Sequence, residues 1–180
     1  MTLDVLRSPL RSTLLTRRSI FVSYHHDRDQ AYYDSFSRIF CDLYGVIRDN
    51  SVDQELDSDN AEYVMRRIRE KYITGTSCTF VLCGSETRWR KYVDWEIKAT
   101  LDKEHGLIGV NLPYNPRDYM GRVNKPERLQ NNIDSGYAIW IAWENLAGGS
   151  SVLRSYVEQA IARPKSVIRN DRPMRSRNGP

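Results

Sequence analysis

Short apolar runs alternate along this chain with stretches whose apolar residues recur every three or four positions. Residues 19–24 (Ser-Ile-Phe-Val-Ser-Tyr), 78–83 (Cys-Thr-Phe-Val-Leu-Cys), 107–112 (Leu-Ile-Gly-Val-Asn-Leu) and 137–143 (Tyr-Ala-Ile-Trp-Ile-Ala-Trp) are the runs. Such β-rich runs fit interior strands of a parallel sheet, covered on both faces. Val46 and Ile47 predict one more short strand. Tyr33, Phe36, Ile39, Phe40 and Leu43 form a helical stripe over residues 30–44, with Gly45 as its stop and Asp29 as a cap. Val64, Ile68 and Tyr72 mark a second helix that runs to about Ile73, and Asp59 with Glu62 has capping-box spacing. A third helix is predicted over residues 89–104. A last one carries Val152, Leu153, Tyr156, Val157, Ala160 and Ile161 and ends at Pro164.

Two stretches interrupt the alternation. Residues 48–60 are polar, acidic and long for a loop, which suits a functional or mobile segment. Residues 113–135 are rich in Pro, Asn, Gly and charge and read as an excursion at the sheet edge with a short helix. Strands joined through helices imply a parallel α/β sheet with helices on both faces, and a flavodoxin-like strand order is expected. Ligands bind such sheets beyond the carboxyl ends of the strands. Residues 24–28, residues 84–87 and the start of the third helix project there.

A chain of 180 residues with 40% hydrophobic positions fits one domain with a core. The net charge of +4 is unevenly spread: residues 1–18 carry +3, residues 163–180 carry +5, and the body between them carries −4. The basicity therefore belongs to the ends, and a nucleic-acid face on the body is not indicated. The expected organisation is a flexible basic segment over residues 1–17, a folded body over 18–163, and a disordered, solubilising basic tail over 164–180. Cys41, Cys78 and Cys83 lack C-x-x-C spacing and read as free thiols, so neither a disulfide framework nor a metal site is expected. No apolar run has the length of a membrane span, and residues 1–18 lack the apolar core of a signal peptide. The expected compartment is the cytoplasm.

Neither G-x-G-x-x-G, G-x-x-x-x-G-K-[ST] nor G-x-S-x-G occurs, which argues against a dehydrogenase, a P-loop NTPase and an α/β-hydrolase. Glu96 is the notable acid. On a helix it shares a face with Trp89, Tyr92 and Thr100, beside the core stripe of Val93, Ile97 and Leu101, at the seam between core and solvent. A carboxylate there can stabilise the oxocarbenium-like state of glycosidic cleavage. On spacing alone an ordinary helix glutamate paired with Lys91 or Lys98 is the commoner case. His25 and His26 can bond phosphates or ribose, or merely populate a polar loop. Tyr24 and Trp89 can sandwich a base or pack. Arg28 can meet a pyrophosphate or pair on the surface.

Three motifs in order carry a resemblance. Phe-Val-Ser-Tyr at residues 21–24 resembles the first motif of TIR domains. Thr-Phe-Val-Leu-Cys-Gly-Ser-Glu-Thr at 79–87 resembles the strand and turn of TIR-like proteins of the bacterial Thoeris anti-phage system, the ThsB type. Tyr-Val-Asp-Trp-Glu-Ile at 92–97 resembles the segment that bears the catalytic glutamate of NAD+-cleaving TIR enzymes. The likeness covers about residues 18–112 and implies a TIR-like fold. It implies NAD+ as substrate rather than cofactor, nicotinamide release, and a cyclic or conjugated ADP-ribose messenger that activates a downstream effector. A phage-derived trigger and self-association through residues 50–60 are further implications. Glu96 takes the catalytic position. Phe21, Ser23, Tyr24 and His25 line the nucleotide pocket, with Arg28, Ser85, Trp89 and Tyr92 at its edge. The R-D-x-x-P-G box of many TIR domains is not completed, since Arg48-Asp49 is followed by Asn-Ser-Val. Two other readings stand beside this one: a TIR-type scaffold that only self-associates, and a deoxyribosyltransferase-like enzyme that would ignore NAD+.

Overall fold

In the computed structural model, which describes residues 18–44, 47–48 and 60–179, the apolar runs become five parallel strands. They are β1 (Ile20–Ser23), β2 (Ile47–Arg48), β3 (Cys78–Cys83), β4 (Gly106–Asn111) and β5 (Ile139–Ala142), in the spatial order β2-β1-β3-β4-β5. This is the flavodoxin-like order. Each crossover passes over a face of the sheet, so both faces are covered and the strand residues are buried whichever way they point.

Alternation along each strand sorts the core into two faces. Ile20, Val22, Tyr24, Phe80, Leu82 and Val110 point to one side, against α1 (His26–Phe40) and α5 (Ser150–Ile161). Phe21, Val81, Cys83 and Leu107 point to the other, against α2 (Ala61–Arg67), α3 (Lys91–Asp102) and α4 (Glu127–Asp134). Cys78 and Cys83 fall on opposite faces. Burial pushes both thiols well above their ordinary range, so they stay protonated and inert, while Cys41 is exposed.

Several element ends differ from expectation. Helix α1 starts at His26, not at residue 30, and Asp29 is buried inside its first turn, where its Oδ2 accepts from the His25 N–H at 3.4 Å. Helix α2 is capped by Asn60, whose Oδ1 accepts from the Tyr63 N–H at 3.0 Å; Asp59 and residues 50–59 lie outside the described residues. It continues as a π turn, Ile68–Ile73, closed by the Thr74 N–H on the Arg69 carbonyl at 2.8 Å. The extra residue in that turn lets Ile68, Tyr72 and Ile73 all face inward. Trp89 belongs to a 3₁₀ turn, Thr87–Trp89, that precedes α3.

The largest correction concerns the tail. The expectation of a disordered, solubilising segment over 164–180 fails, because residues 164–179 form an ordered strap across the outer side of α3 and α4. Val167 and Ile168 pack on one core cluster and Met174 on another. Arg128 of α4 is completely buried. It donates to both oxygens of Asp94 at 3.0 and 3.2 Å, to Asn170 Oδ1 at 3.0 Å and to the Pro173 carbonyl at 3.0 Å. The Arg175 N–H donates to Asp94 Oδ2 at 2.9 Å, and the Trp95 indole donates to the Arg175 carbonyl at 2.8 Å. Apart from these three scattered apolar residues the strap is held by polar bonds to partners on other helices, so hydrophobic periodicity had little to report. Helix α3 is consequently covered on almost every side, including Asp94 and Trp95.

Candidate active site

Helix α3 is pinned to the sheet by one short side-chain pair. Thr100 Oγ1 lies 2.7 Å from Thr79 Oγ1 on β3, and it also reaches the Glu96 carbonyl at 2.8 Å. From that pin the register follows. Four residues along a helix advance about 6 Å, and two residues along a strand advance about 6.6 Å. Glu96, four residues before Thr100, is therefore level with Val81, two residues after Thr79. Val81 is the partner of Ser23 on β1, and both point to the α3 face. Tyr92, another turn further, lies toward the level of His25. The backbone at His25 is extended (φ −89°, ψ 109°), so the alternation continues and His25 shares the side of Phe21 and Ser23.

This face therefore brings Phe21, Ser23, His25, Tyr92 and Glu96 together at the carboxyl ends of β1 and β3, and all five are buried. Ser23 Oγ and His25 Nδ1 are buried with no hydrogen-bond partner among the described residues. Buried polar atoms are almost always paired, because leaving one unsatisfied costs about 1–3 kcal/mol. Both atoms keep bonding capacity on the face that also carries Glu96. Glu96 itself is completely buried, not at the seam between core and solvent as expected. Its carboxylate is closed off from solvent.

Tyr24 is a second correction. Its position on β1 turns it to the α1 side, where its ring stacks on Tyr33 at 4.5 Å and its hydroxyl donates to Gln30 Oε1 at 3.0 Å. It does not form a sandwich with Trp89. The Trp89 ring instead has the Arg88 guanidinium at 4.0 Å and that of Arg175 at 5.3 Å. Arg28 is exposed and pairs with Glu86 at 3.2 Å; the other carboxylate oxygen of Glu86 lies 3.5 Å from His25 Nε2. Ser85 is half-buried in the loop that leads from β3 to Trp89.

A second network, not anticipated as such, closes the same edge. Buried Asp29 accepts from the Tyr114 hydroxyl and from Thr87 Oγ1 at 2.9 Å, and Thr87 Oγ1 accepts from the Gly84 N–H at 2.9 Å. Burial, then the bond to Asp29, pushes the Tyr114 phenol well above its usual range, which keeps it a donor. Asp29 thus ties together the loops after β1, β3 and β4. A Cβ at Gly84 would come within 2.7 Å of Tyr114 Oη and still closer to Asp29. Gly84→Ala is accordingly expected to cost about 1–3 kcal/mol, read as a lower midpoint in urea unfolding. An unchanged midpoint would show that the edge is looser than drawn. Strand ends and Gly84 were visible in the sequence; the partnership of residues 29, 87 and 114 across the chain was not.

The fold and this edge together define the class: a doubly wound α/β domain with a buried acid on the helix after β3, facing the carboxyl end of β1. The family model described as Thoeris protein ThsB, TIR-like domain, matches residues 21–117, which is 97 of 180 residues. The chain belongs to that family, and so to the TIR-like domains of an anti-phage system. Comparison with curated proteins gives no significant match. Among the described residues no helix is long and apolar enough to cross a membrane.

Proposed function

We propose that this domain cleaves the nicotinamide–ribose bond of NAD+ and converts the ADP-ribose portion into a cyclic or conjugated messenger for a partner effector in anti-phage defence. The observation that carries the reading is the buried Glu96 at the level of Ser23, with His25 one step further toward the carboxyl edge on the same face, and with Ser23 Oγ and His25 Nδ1 both buried and without a hydrogen-bond partner among the described residues. Membership of the ThsB TIR-like family supports it.

The chemistry suits that arrangement. As the C1′–N bond breaks, its electron pair leaves with nicotinamide, which departs neutral, and positive charge spreads over C1′ and the ring oxygen. Glu96, in a site that excludes water, stabilises that charge far better than it would in bulk solvent. A water or a hydroxyl of the ADP-ribose then adds to C1′ and releases its proton. Ser23 and His25 bond ribose hydroxyls or phosphate oxygens and hold C1′ near the acid. Arg28 and Ser85, in the segments that follow β1 and β3, are the nearest polar side chains for the phosphates on this reading, and a base would reach the Trp89 ring by displacing a guanidinium from it.

Ser23→Ala and His25→Ala are each expected to lower kcat/KM for NAD+ by about 10- to 100-fold, the loss of one or two positioning bonds. Nicotinamide release followed by chromatography checks this, and undiminished kcat/KM in both variants would remove these residues from the site. The complete burial of Glu96 favours a second reading, a signalling scaffold that self-associates without chemistry. It differs in tolerating Glu96→Gln in a phage-protection assay.

A further inference from the structure

The C-terminal strap ends on the candidate site's own helix. Beyond the partly buried Val167 and Ile168 and the bonds that Asn170 and Pro173 accept from buried Arg128 of α4, its last residues make a different set of bonds. Asn178 Oδ1 accepts from the Lys91 N–H at 2.8 Å. Lys91 is the first residue of α3, and a helix leaves its first N–H groups without intrahelical partners. Arg90, at the N-cap position, makes no side-chain cap bond, so the cap is supplied by a residue 87 positions away. The Arg175 Nε donates to the Trp89 carbonyl at 3.2 Å, the Gly179 N–H donates to the same carbonyl at 3.1 Å, and the Arg175 guanidinium also donates to the Gly179 carbonyl. Its carbon lies 5.3 Å from the Trp89 ring centre.

We propose that residues 175–179 are a latch that positions Trp89 and the first turn of α3, with Arg175 and Asn178 as positioning residues. This rests on the reading of the Trp89–Glu96 edge as the nucleotide site. The strap divides into two parts that differ in strength. Its proximal part is anchored in the core and in a buried ion pair. Its distal part is held by polar contacts of partly exposed groups, the kind of segment that opens locally at low cost. Release of the distal part leaves Glu96 tied through Thr100 to Thr79, yet frees the Trp89 carbonyl, its ring and the Lys91 N–H. The acid stays in place while the aromatic platform loosens. The expected signature is weaker substrate binding with an intact chemical step.

Arg175→Ala and Asn178→Ala, alone and combined in the full chain, test this cleanly. The backbone bonds of Arg175 to Asp94 and Trp95 survive both substitutions. Hydrogen exchange followed by mass spectrometry reads the latch without any assay of activity. In the double variant, exchange over residues 89–94, including the Asp94 N–H that bonds Arg90, is expected to accelerate about tenfold, with β3 and β4 unchanged. With NAD+ as probe, KM is expected to rise about tenfold, in the range set by losing one aromatic stacking contact, with kcat within twofold. Arg175→Lys, which keeps a cation over the ring, is expected to restore part of the loss. Unchanged exchange over residues 89–94 overturns the latch whatever the activity. Faster exchange with kcat reduced and KM unchanged overturns the positioning role. If the wild-type chain leaves NAD+ intact, the proposed reaction fails, and the exchange result alone decides the latch.

Discussion

Asp94→Ala lowers the unfolding free energy by about 3–5 kcal/mol, the cost of stranding one member of a buried ion pair. Arg128 is fully buried, and its guanidinium donates to two Asp94 oxygens, to Asn170 Oδ1 and, at 3.5 Å, the Asn170 carbonyl, and to the Pro173 carbonyl. Without Asp94, a full positive charge stays in the core with only neutral acceptors. The Arg175 N–H loses its acceptor as well, so the strap loosens where it crosses α3. In a chain of this size the loss corresponds to a fall in Tm of roughly 6–20 °C. The double variant Asp94→Ala, Arg128→Met removes both charges together and is expected to recover a large part of it, because an apolar side chain of similar length carries no desolvation penalty. Thermal unfolding followed by circular dichroism checks both. A fall of under 2 °C for Asp94→Ala would show that the strap and its ion pair contribute little.

Glu96→Gln is expected to lower the rate of NAD+ cleavage by about 10²–10⁴-fold while leaving the fold intact. The amide matches the carboxylate in size, so packing against the sheet is kept. It carries no negative charge, so the developing oxocarbenium ion loses its stabiliser. A buried carboxylate also carries a desolvation penalty that the neutral amide avoids, so stability is expected to stay the same or rise. This pairing of an unaffected or higher Tm with lost turnover separates a catalytic role from a structural one. The opposite pairing, lower Tm with turnover intact, would make Glu96 an ordinary core glutamate.

The layered fold was legible because its signal is local. Residues 78–83 and 107–112 announce themselves as buried strands by composition alone, and the helical stripes between them force parallel crossovers. Glu96 was singled out by the likeness of residues 92–97 to a TIR motif and not by periodicity, which left an ordinary helix glutamate open and did not foresee its complete burial. Which way Tyr24 points was not, since a strand buried on both faces gives no polar alternation to set its register against the helices. The strap lay beyond reach for another reason. Residues such as Asn170, Arg175 and Asn178 read as solvated when taken singly, and they become structural only through Asp94, Trp95, Lys91 and Arg128, which lie 40 to 90 positions away. The same holds for Asp29, Thr87 and Tyr114, which come from the first turn of α1, the 3₁₀ turn after β3 and the segment after β4. Contacts of that kind depend on the finished fold, and no pattern within a window of the chain encodes them.

The most direct measurement is incubation of the purified full chain with NAD+, in buffer and in lysate of phage-infected cells, with products resolved by mass spectrometry beside Glu96→Gln. Nicotinamide together with an ADP-ribose-derived product from the wild-type chain, and neither from the variant, is the predicted result. Intact NAD+ in both settings, or equal turnover by the variant, would contradict the assignment of Glu96 as the acid that cleaves the glycosidic bond.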